Sequence, residues 1–442
     1  MEKIWKGPIL NGGRGFLTLL VIILTASPGN VSAQALDTPP DLEGKPLTIQ
    51  AALDLAHDYN PSLKIYSAAE NEALARADQA GRGLNPELGL EVEDFLGSGQ
   101  YNGFSSAQYT LFLAQTFQLG GKPAKQREAA GWNAEMVRLE ARLQAIDLQA
   151  EVTRIFIEIL ASQQEISLTE ELVGLAEQDL EFIRRRVKNG SLSPVEISRA
   201  EVALFSANMT LDSARQTLAV KRIQLATMWN TTEPTFGEIS GSLDMLAPPR
   251  DWEDLAAQLD QSPRLELFSL EASRRQAELA LARVQGKIDL TASAGIRHYG
   301  DSGDNAAVAT ISIPLPVHNR NQDAIRAGQY GLDQVDALRQ ASVVTLRENL
   351  ASQHEQLSRT FVQATSIRQE ILPASEKALT SANDAYRKGL FTLTDVISVR
   401  RAWFELNSRY FQALAGYQSA TVEIDRILGG LSSLSPTTPE NN

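Results

Sequence analysis

Leu139, Leu143, Ile146, Ala150, Thr153, Ile157 and Leu160 keep a 4-3 spacing within Pro123 to Lys188, a stretch without a strong helix breaker. Spacing of three and four puts these side chains on one helix face, and about 65 residues at ~1.5 Å each predict a rod of ~100 Å. Leu148, Val152, Ile155 and Ile159 make a second stripe on another face, so the same helix is expected to pack on two sides. A helix after residue 193 carries one seam through Ile197, Ala200, Leu204, Ala207, Leu211, Ala214, Leu218, Leu225 and Met228, interrupted by Lys221. Another carries Val396, Val399, Trp403, Leu406, Tyr410, Ala413, Tyr417, Ala420, Ile424 and Ile427. The pattern from Asp323 to Lys388 is less regular, with Gln353 and Thr360 breaking its apolar series. Pro373 lies there at the same 199-residue offset from Gly174, which predicts a bend at a common height in both halves.

Elsewhere the period drops to two. Leu88, Leu90 and Val92 alternate with Gly89, Glu91 and Glu93, then a turn (Gly97 to Ser106) leads into Tyr109 to Leu119. Ile288, Leu290, Ala292, Ala294 and Ile296 repeat the device, with a turn at Gly300 to Asp304 and a return from Ala307 to Pro314. Strands of about ten residues are long enough to cross a bilayer at a tilt. A soluble hairpin alternates in the same way, so the strands alone leave both readings open. Membrane strands would have to find partners on other copies of the chain, because about eight are needed to close a barrel.

The order helix, hairpin, long helix, tip, long helix occurs twice. The first repeat spans residues 47–240, with a β-hairpin at about 86–119 and a long helical hairpin at about 121–228. The second spans 241–430, with a β-hairpin at about 288–314 and a helical hairpin at about 321–429. Residues 34–46 read as a flexible leader and 431–442 as a disordered tail. The two tips match residue by residue at the 199-residue offset: Gly190 with Gly389, Ser193 with Thr392, Glu196 with Asp395. Glycine suits the left-handed residue that stops a helix, and Ser or Thr with an acid three residues on reads as a capping box.

Chemistry narrows the picture further. The chain has 442 residues, no cysteine and a net charge of −13, which excludes disulfides and thiolate sites and argues against nucleic acid as partner. Lys3, Lys6 and Arg14, the apolar run Phe16 to Ala26, and Val31-Ser32-Ala33 predict a signal peptide over residues 1–33. His57, His298, His318 and His354 share no metal-ligand spacing, and Gly120-Gly121-Lys122 lacks the rest of a phosphate loop. No catalytic constellation and no cofactor site is expected.

With its duplicated tips, the chain resembles the TolC-like outer-membrane efflux protein family over about residues 47–430. Asn85-Pro86-Glu87-Leu88, Phe117-Gln118-Leu119-Gly120-Gly121-Lys122 and Ile313-Pro314-Leu315-Pro316-Val317-His318-Asn319-Arg320-Asn321-Gln322 look like its heavy-metal (cobalt–zinc–cadmium) branch. The resemblance implies a mostly α fold with a membrane β-barrel. Three copies would form a 12-stranded barrel in outer-membrane lipid and an α-helical tunnel through the periplasm. It further implies the passive exit duct of a tripartite pump, joined through a periplasmic adaptor to an inner-membrane resistance–nodulation–division transporter, with heavy-metal cations as cargo. A duct for drugs or organic solutes, and a soluble periplasmic coiled-coil protein, are the alternatives. In the family the tip is the gate. The acidic constriction residue six after the second tip glycine is here Asp395, and the aromatic three before that glycine, here Tyr386, ties to the acid of the first tip, Glu196. An Arg found in some members two after that glycine is here Phe391, so that tie is missing. Gly190, Ser193, Gly389 and Thr392 would form the adaptor-docking tips. From the residues alone, Glu196 and Asp395 read as helix caps favoured by the helix dipole, a role compatible with gating.

Overall fold

A computed structural model describes residues 38–430; the signal peptide over 1–33 and the tail over 431–442 lie outside the described residues. The first half runs β1 (Leu47–Thr48), α1 (Ile49–Tyr59), α2 (Pro61–Ala80), β2 (Glu87–Glu93), β3 (Gln108–Phe117), α3 (Lys122–Lys188) and α4 (Val195–Thr227). The second runs β4 (Ile239–Ser240), α5 (Trp252–Leu259), α6 (Pro263–Gln285), β5 (Leu290–Tyr299), β6 (Asn305–Ser312), α7 (Gln322–Ser366), α8 (Leu372–Arg387) and α9 (Leu393–Leu428). The same local device opens α2 and α6. Asn60 accepts from the Ser62 amide and Ser262 from the Arg264 amide, and a proline stands at the first helical position of each, where its missing N–H costs nothing.

The 67-residue α3 is the spine. Every member of its predicted 4-3 stripe is buried, from Leu139 to Leu160, and so are Val152, Ile155 and Ile159 on the second face. Thr153, the polar member of the stripe, is satisfied within the helix by donating to the Gln149 carbonyl at 2.8 Å. Two buried faces let α3 lie against α4 and α9 as well as α2 and α6. Gly174 leaves α3 unbroken, contrary to the bend expected in both halves. In the second half the break is real: Ile367–Ile371 form one π-helical turn just before Pro373, where the proline removes a donor and displaces the carbonyl behind it.

The four long strands form one antiparallel sheet in the order β2-β3-β5-β6. Its register sorts the side chains onto two faces. Leu90, Leu111, Ile296 and Ala307 are aligned across the sheet, as are Leu88, Leu113, Ala294 and Ala309. Leu88, Leu90, Leu111, Leu113 and Ile296 are all exposed in the protomer. The opposite face carries Glu91, Thr110, Arg297 and Glu93, where Arg297 donates to Thr110 Oγ1 at 2.9 Å and pairs with Glu93 at 2.8 Å. On this polar face Phe112 lies between Gly89 and Gly295 of the neighbouring strands. A Cβ on Gly89 would come within 2.3 Å of the Phe112 ring, so the glycine makes room for the aromatic. Strands β2 and β6 end the sheet with unpaired edges. Among the described residues no helix is long and apolar enough to cross a membrane.

The chain between the halves does more than link them. The end of the expected flexible leader is instead tied down, residues 34–37 lying outside the described ones: Gly44 N–H donates to the Thr235 carbonyl at 2.7 Å, and the Gly237 N–H donates to the Lys45 carbonyl at 2.8 Å. Leu47 and Thr48 then pair in parallel with Ile239 and Ser240. Leu47, Phe236 and Ile239 join the main core beside Ile155, Phe156 and Trp229. Burying those apolar groups offsets the entropy of ordering the strap.

Candidate functional site

The two helical hairpins end side by side. At the first tip Gly190 has φ +72°, and the Gly190 and Ser191 amides donate to the Val187 and Arg186 carbonyls at 2.9 and 2.8 Å. At the second, Gly389 has φ +76°, and the Gly389 and Leu390 amides donate to the Tyr386 and Ala385 carbonyls at 2.9 and 2.8 Å. Both are Schellman stops, identical in hydrogen-bond pattern, and they satisfy the last carbonyls of α3 and α8.

The restarts differ. Thr392 and Asp395 form a complete capping box on α9. The Asp395 carboxylate accepts from the Thr392 hydroxyl at 2.6 Å and from its N–H at 2.9 Å, and these bonds hold its pKa below the ordinary value. The box expected at Ser193 and Glu196 is not made. Pro194 already has helical dihedrals, Ser193 Oγ meets only the Val195 amide at 3.4 Å, and Glu196 turns to Arg199 at 3.0 Å.

Tyr386 is buried between the hairpins, its ring tilted against Phe182 at 5.5 Å. It shares an apolar cluster with Leu180, Ile183, Ala200, Leu393 and Val396. The tie expected from Tyr386 to Glu196 is absent within the protomer, since Tyr386 Oη has no hydrogen-bond partner. Burial first, and the Asp179 charge second, push the phenol pKa up. Asp395 stands exposed at the end of α9, clear of this cluster.

Two ion pairs escaped the sequence reading. Arg400 of α9 donates to both carboxylate oxygens of Asp179 on α3, the second at 3.3 Å, and to Asn383 Oδ1 of α8 at 2.8 Å. Both charged residues are buried. Desolvation pushes the Asp179 carboxyl upward, against the pull of Arg400. The available signal was an arginine between Val396 and Trp403, on a seam that otherwise faces inward. Lys122 is the other: it is buried and bonds Asp289 at 2.7 Å and the Lys287 carbonyl at 2.8 Å, fastening the exit of β3 to the entrance of β5. Gly120-Gly121-Lys122 is thus a joint between sheet and helices.

A sheet apolar on one exposed face and polar on the other, set on long duplicated helices with paired blunt tips, fits the protomer of a membrane-embedded channel. The family described as outer membrane efflux protein matches residues 52–231 and 256–430. The chain belongs to that family. The cobalt-zinc-cadmium resistance protein CzcC of Cupriavidus metallidurans is 31% identical over 424 residues, covering 94% of this chain and 99% of that protein. The nickel-cobalt-cadmium resistance protein NccC of Alcaligenes xylosoxydans xylosoxydans is 25% identical over 307 residues, covering 70% and 67%. The fold is shared with the Campylobacter jejuni CmeC outer membrane channel, at TM-score 0.72 and 13% identity, covering 86% of this chain and 85% of that one. The protein is therefore an efflux channel of the outer membrane and not an enzyme.

Proposed function

We propose that the protein is the exit duct of a tripartite resistance–nodulation–division pump and passes heavy-metal cations from the periplasm to the exterior. The observation that carries the cargo is the near full-length similarity to a cobalt-zinc-cadmium resistance protein. The two open sheet edges, β2 and β6, call for several copies of the chain, and the family resemblance sets their number at three, which gives one barrel of about twelve strands. Helix α4 agrees: Val202, Phe205, Met209, Val220 and Ile223 stay exposed on the face turned away from α3. The polar face with Glu91, Glu93 and Arg297 would then line the pore and the leucine face would meet lipid. The inner-membrane transporter supplies the energy, and a periplasmic adaptor docks at the tips around Gly190, Ser193, Gly389 and Thr392.

The gate in this reading is the tip itself. Three copies of Asp395 near a three-fold axis would repel one another and attract cations. Tyr386 contributes as a packed ring within the tip cluster, and Glu196 as the acid in the first turn of α4. Deleting the gene should sensitise cells to cobalt, zinc and cadmium, with resistance restored by the intact chain. Sensitivity to organic drugs alone would favour the other cargo. In planar bilayers Asp395→Ala should lower cation selectivity and weaken block by multivalent cations; parent-like selectivity would remove Asp395 from the gate.

A further inference from the structure

We propose that the segment from Ile313 to Arg320, together with Arg283 and Lys287 at the end of α6, is a binding site for an anionic phospholipid of the periplasmic leaflet. This inference rests on the reading of the leucine face as the one that meets lipid and of the long helices as periplasmic. Phe117 of β3 and Leu290 of β5 are aligned at the helix end of that face, and Ile311 of β6, two residues on from Ala309, lies on it too. Strand β6 stops at Ser312, but the apolar alternation continues through Ile313, Leu315 and Val317, which are 46%, 79% and 64% exposed. Pro314 and Pro316 stand between them and have no amide, so a neighbouring copy's strand would find two donors missing there.

The chain then turns back onto α6. Asn321 Nδ2 donates to the Ala282 carbonyl at 2.7 Å, and a Cβ on Gly286 would come within 2.5 Å of the Arg320 carbonyl oxygen. That close approach brings Arg320 to the end of α6 that carries Arg283 and Lys287, and all three cations are exposed. Among the described residues none of the three forms an ion pair. The acids of these two element ends are already engaged, Asp289 by Lys122 at 2.7 Å and Asp323 by Arg326 at 2.7 Å. Arg320 uses only Nε, on the Pro316 carbonyl at 3.3 Å, which leaves both terminal nitrogens of its fork for a phosphate. On a chain of net charge −13, uncompensated cations beside an exposed apolar run complement one kind of surface. The apolar side chains enter the acyl boundary, and the cations meet the anionic headgroup.

The test uses the full-length oligomer in mild detergent, mixed with phosphatidylglycerol or phosphatidylcholine, and counts bound lipids by native mass measurement. The parent should retain phosphatidylglycerol over phosphatidylcholine by about tenfold or more, and each of Arg283→Gln, Lys287→Gln and Arg320→Gln should lower that preference by up to about fivefold. Arg339→Gln, which removes an exposed cation further along α7, should leave it unchanged. Leu315→Ser with Val317→Ser should weaken retention of both lipids. Equal retention of the two lipids by the parent, or an unaltered preference when all three charges are removed, overturns the site. Loss of the oligomer in Leu315→Ser with Val317→Ser, at unchanged lipid retention, also overturns it and assigns the stretch to contact between copies. Because the chain has no cysteine, Leu315→Cys and Leu90→Cys can each carry a single fluorophore in vesicles of spin-labelled lipid. Quenching at both positions supports the site. Quenching at Leu90→Cys alone overturns the site while the lipid-facing reading stands, and quenching at neither overturns both.

Discussion

Thr392 and Asp395 hold each other from both directions across the first turn of α9, whereas Ser193 and Glu196, their counterparts in the other repeat, do not. The difference lies one turn further on. Glu196 has Arg199 within reach, but Asp395 is followed at that distance by Ser398 and Val399, which offer no cation. Thr392→Ala should therefore loosen the start of α9 by about 1 kcal/mol, and Ser193→Ala should loosen α4 by less. Amide exchange of residues 393–396 against 195–198 measures both.

The cap also has a pH signature. The Thr392 hydroxyl and N–H hold the Asp395 carboxyl below its ordinary 3.8. A pKa lower in the folded than in the unfolded chain gives stability that is complete above the ordinary value and is lost as pH falls through the folded one. Protection factors at the second tip, which already divide out the intrinsic pH dependence of amide exchange, should stay level from neutrality down to about that ordinary value, then fall. A change confined to the range above it would implicate another group.

Gly190 and Gly389 have open space where a Cβ would stand, so the cost of substitution there is backbone strain alone. Valine at both should cost ~1–2 kcal/mol apiece and blunt the tips incorrectly. Resistance and adaptor cross-linking should be lost while the oligomer and its membrane insertion remain. Asparagine, which enters the left-handed region more readily, should restore part of both.

Tyr386→Phe removes a buried hydroxyl that has no acceptor in the protomer, so heat resistance should hold or improve by up to about 1 kcal/mol. Tyr386→Ala should instead cost about 3–5 kcal/mol by emptying the tip cluster. Conductance of the Phe variant should match the parent. A clear rise would mean that Oη finds its acceptor on a neighbouring copy, and would restore the tether in intermolecular form.

Lys122→Met keeps the stem of the side chain but strands Asp289, which also accepts from the Leu119 amide at 3.2 Å. The oligomer should dissociate at lower temperature on a gel, with a loss of about 1–3 kcal/mol per protomer. Unchanged dissociation would mean that the joint is held by the strands alone.

The elements that were legible in the sequence are those written in local code. The Asn60-Pro61 and Ser262-Pro263 starts, the Gly190 and Gly389 stops and the α3 stripe each depend on residues within a turn or two. Asp179 and Arg400 are 221 positions apart, and only the docking of α3 beside α9 makes them a pair. The two-residue ladder of Leu47 and Thr48 with Ile239 and Ser240 is too short to leave a period of two. Glu196 was misread because a capping box and an i,i+3 ion pair compete for one carboxylate, and the motif alone does not say which wins.

The π-turn at Ile367–Ile371 makes the two halves mechanically unequal. The α3 side is an unbroken strut, while the other side has a soft joint above α8, where the helical ladder is already loosened. From Pro373 to Gly389 is about 24 Å of helix, so a rotation of about 10° at the joint would sweep the second tip through roughly 4 Å. In the gate proposed above, small torque at that joint would become aperture at the end, with the unbroken α3 arm as the post and the jointed arm as the lever.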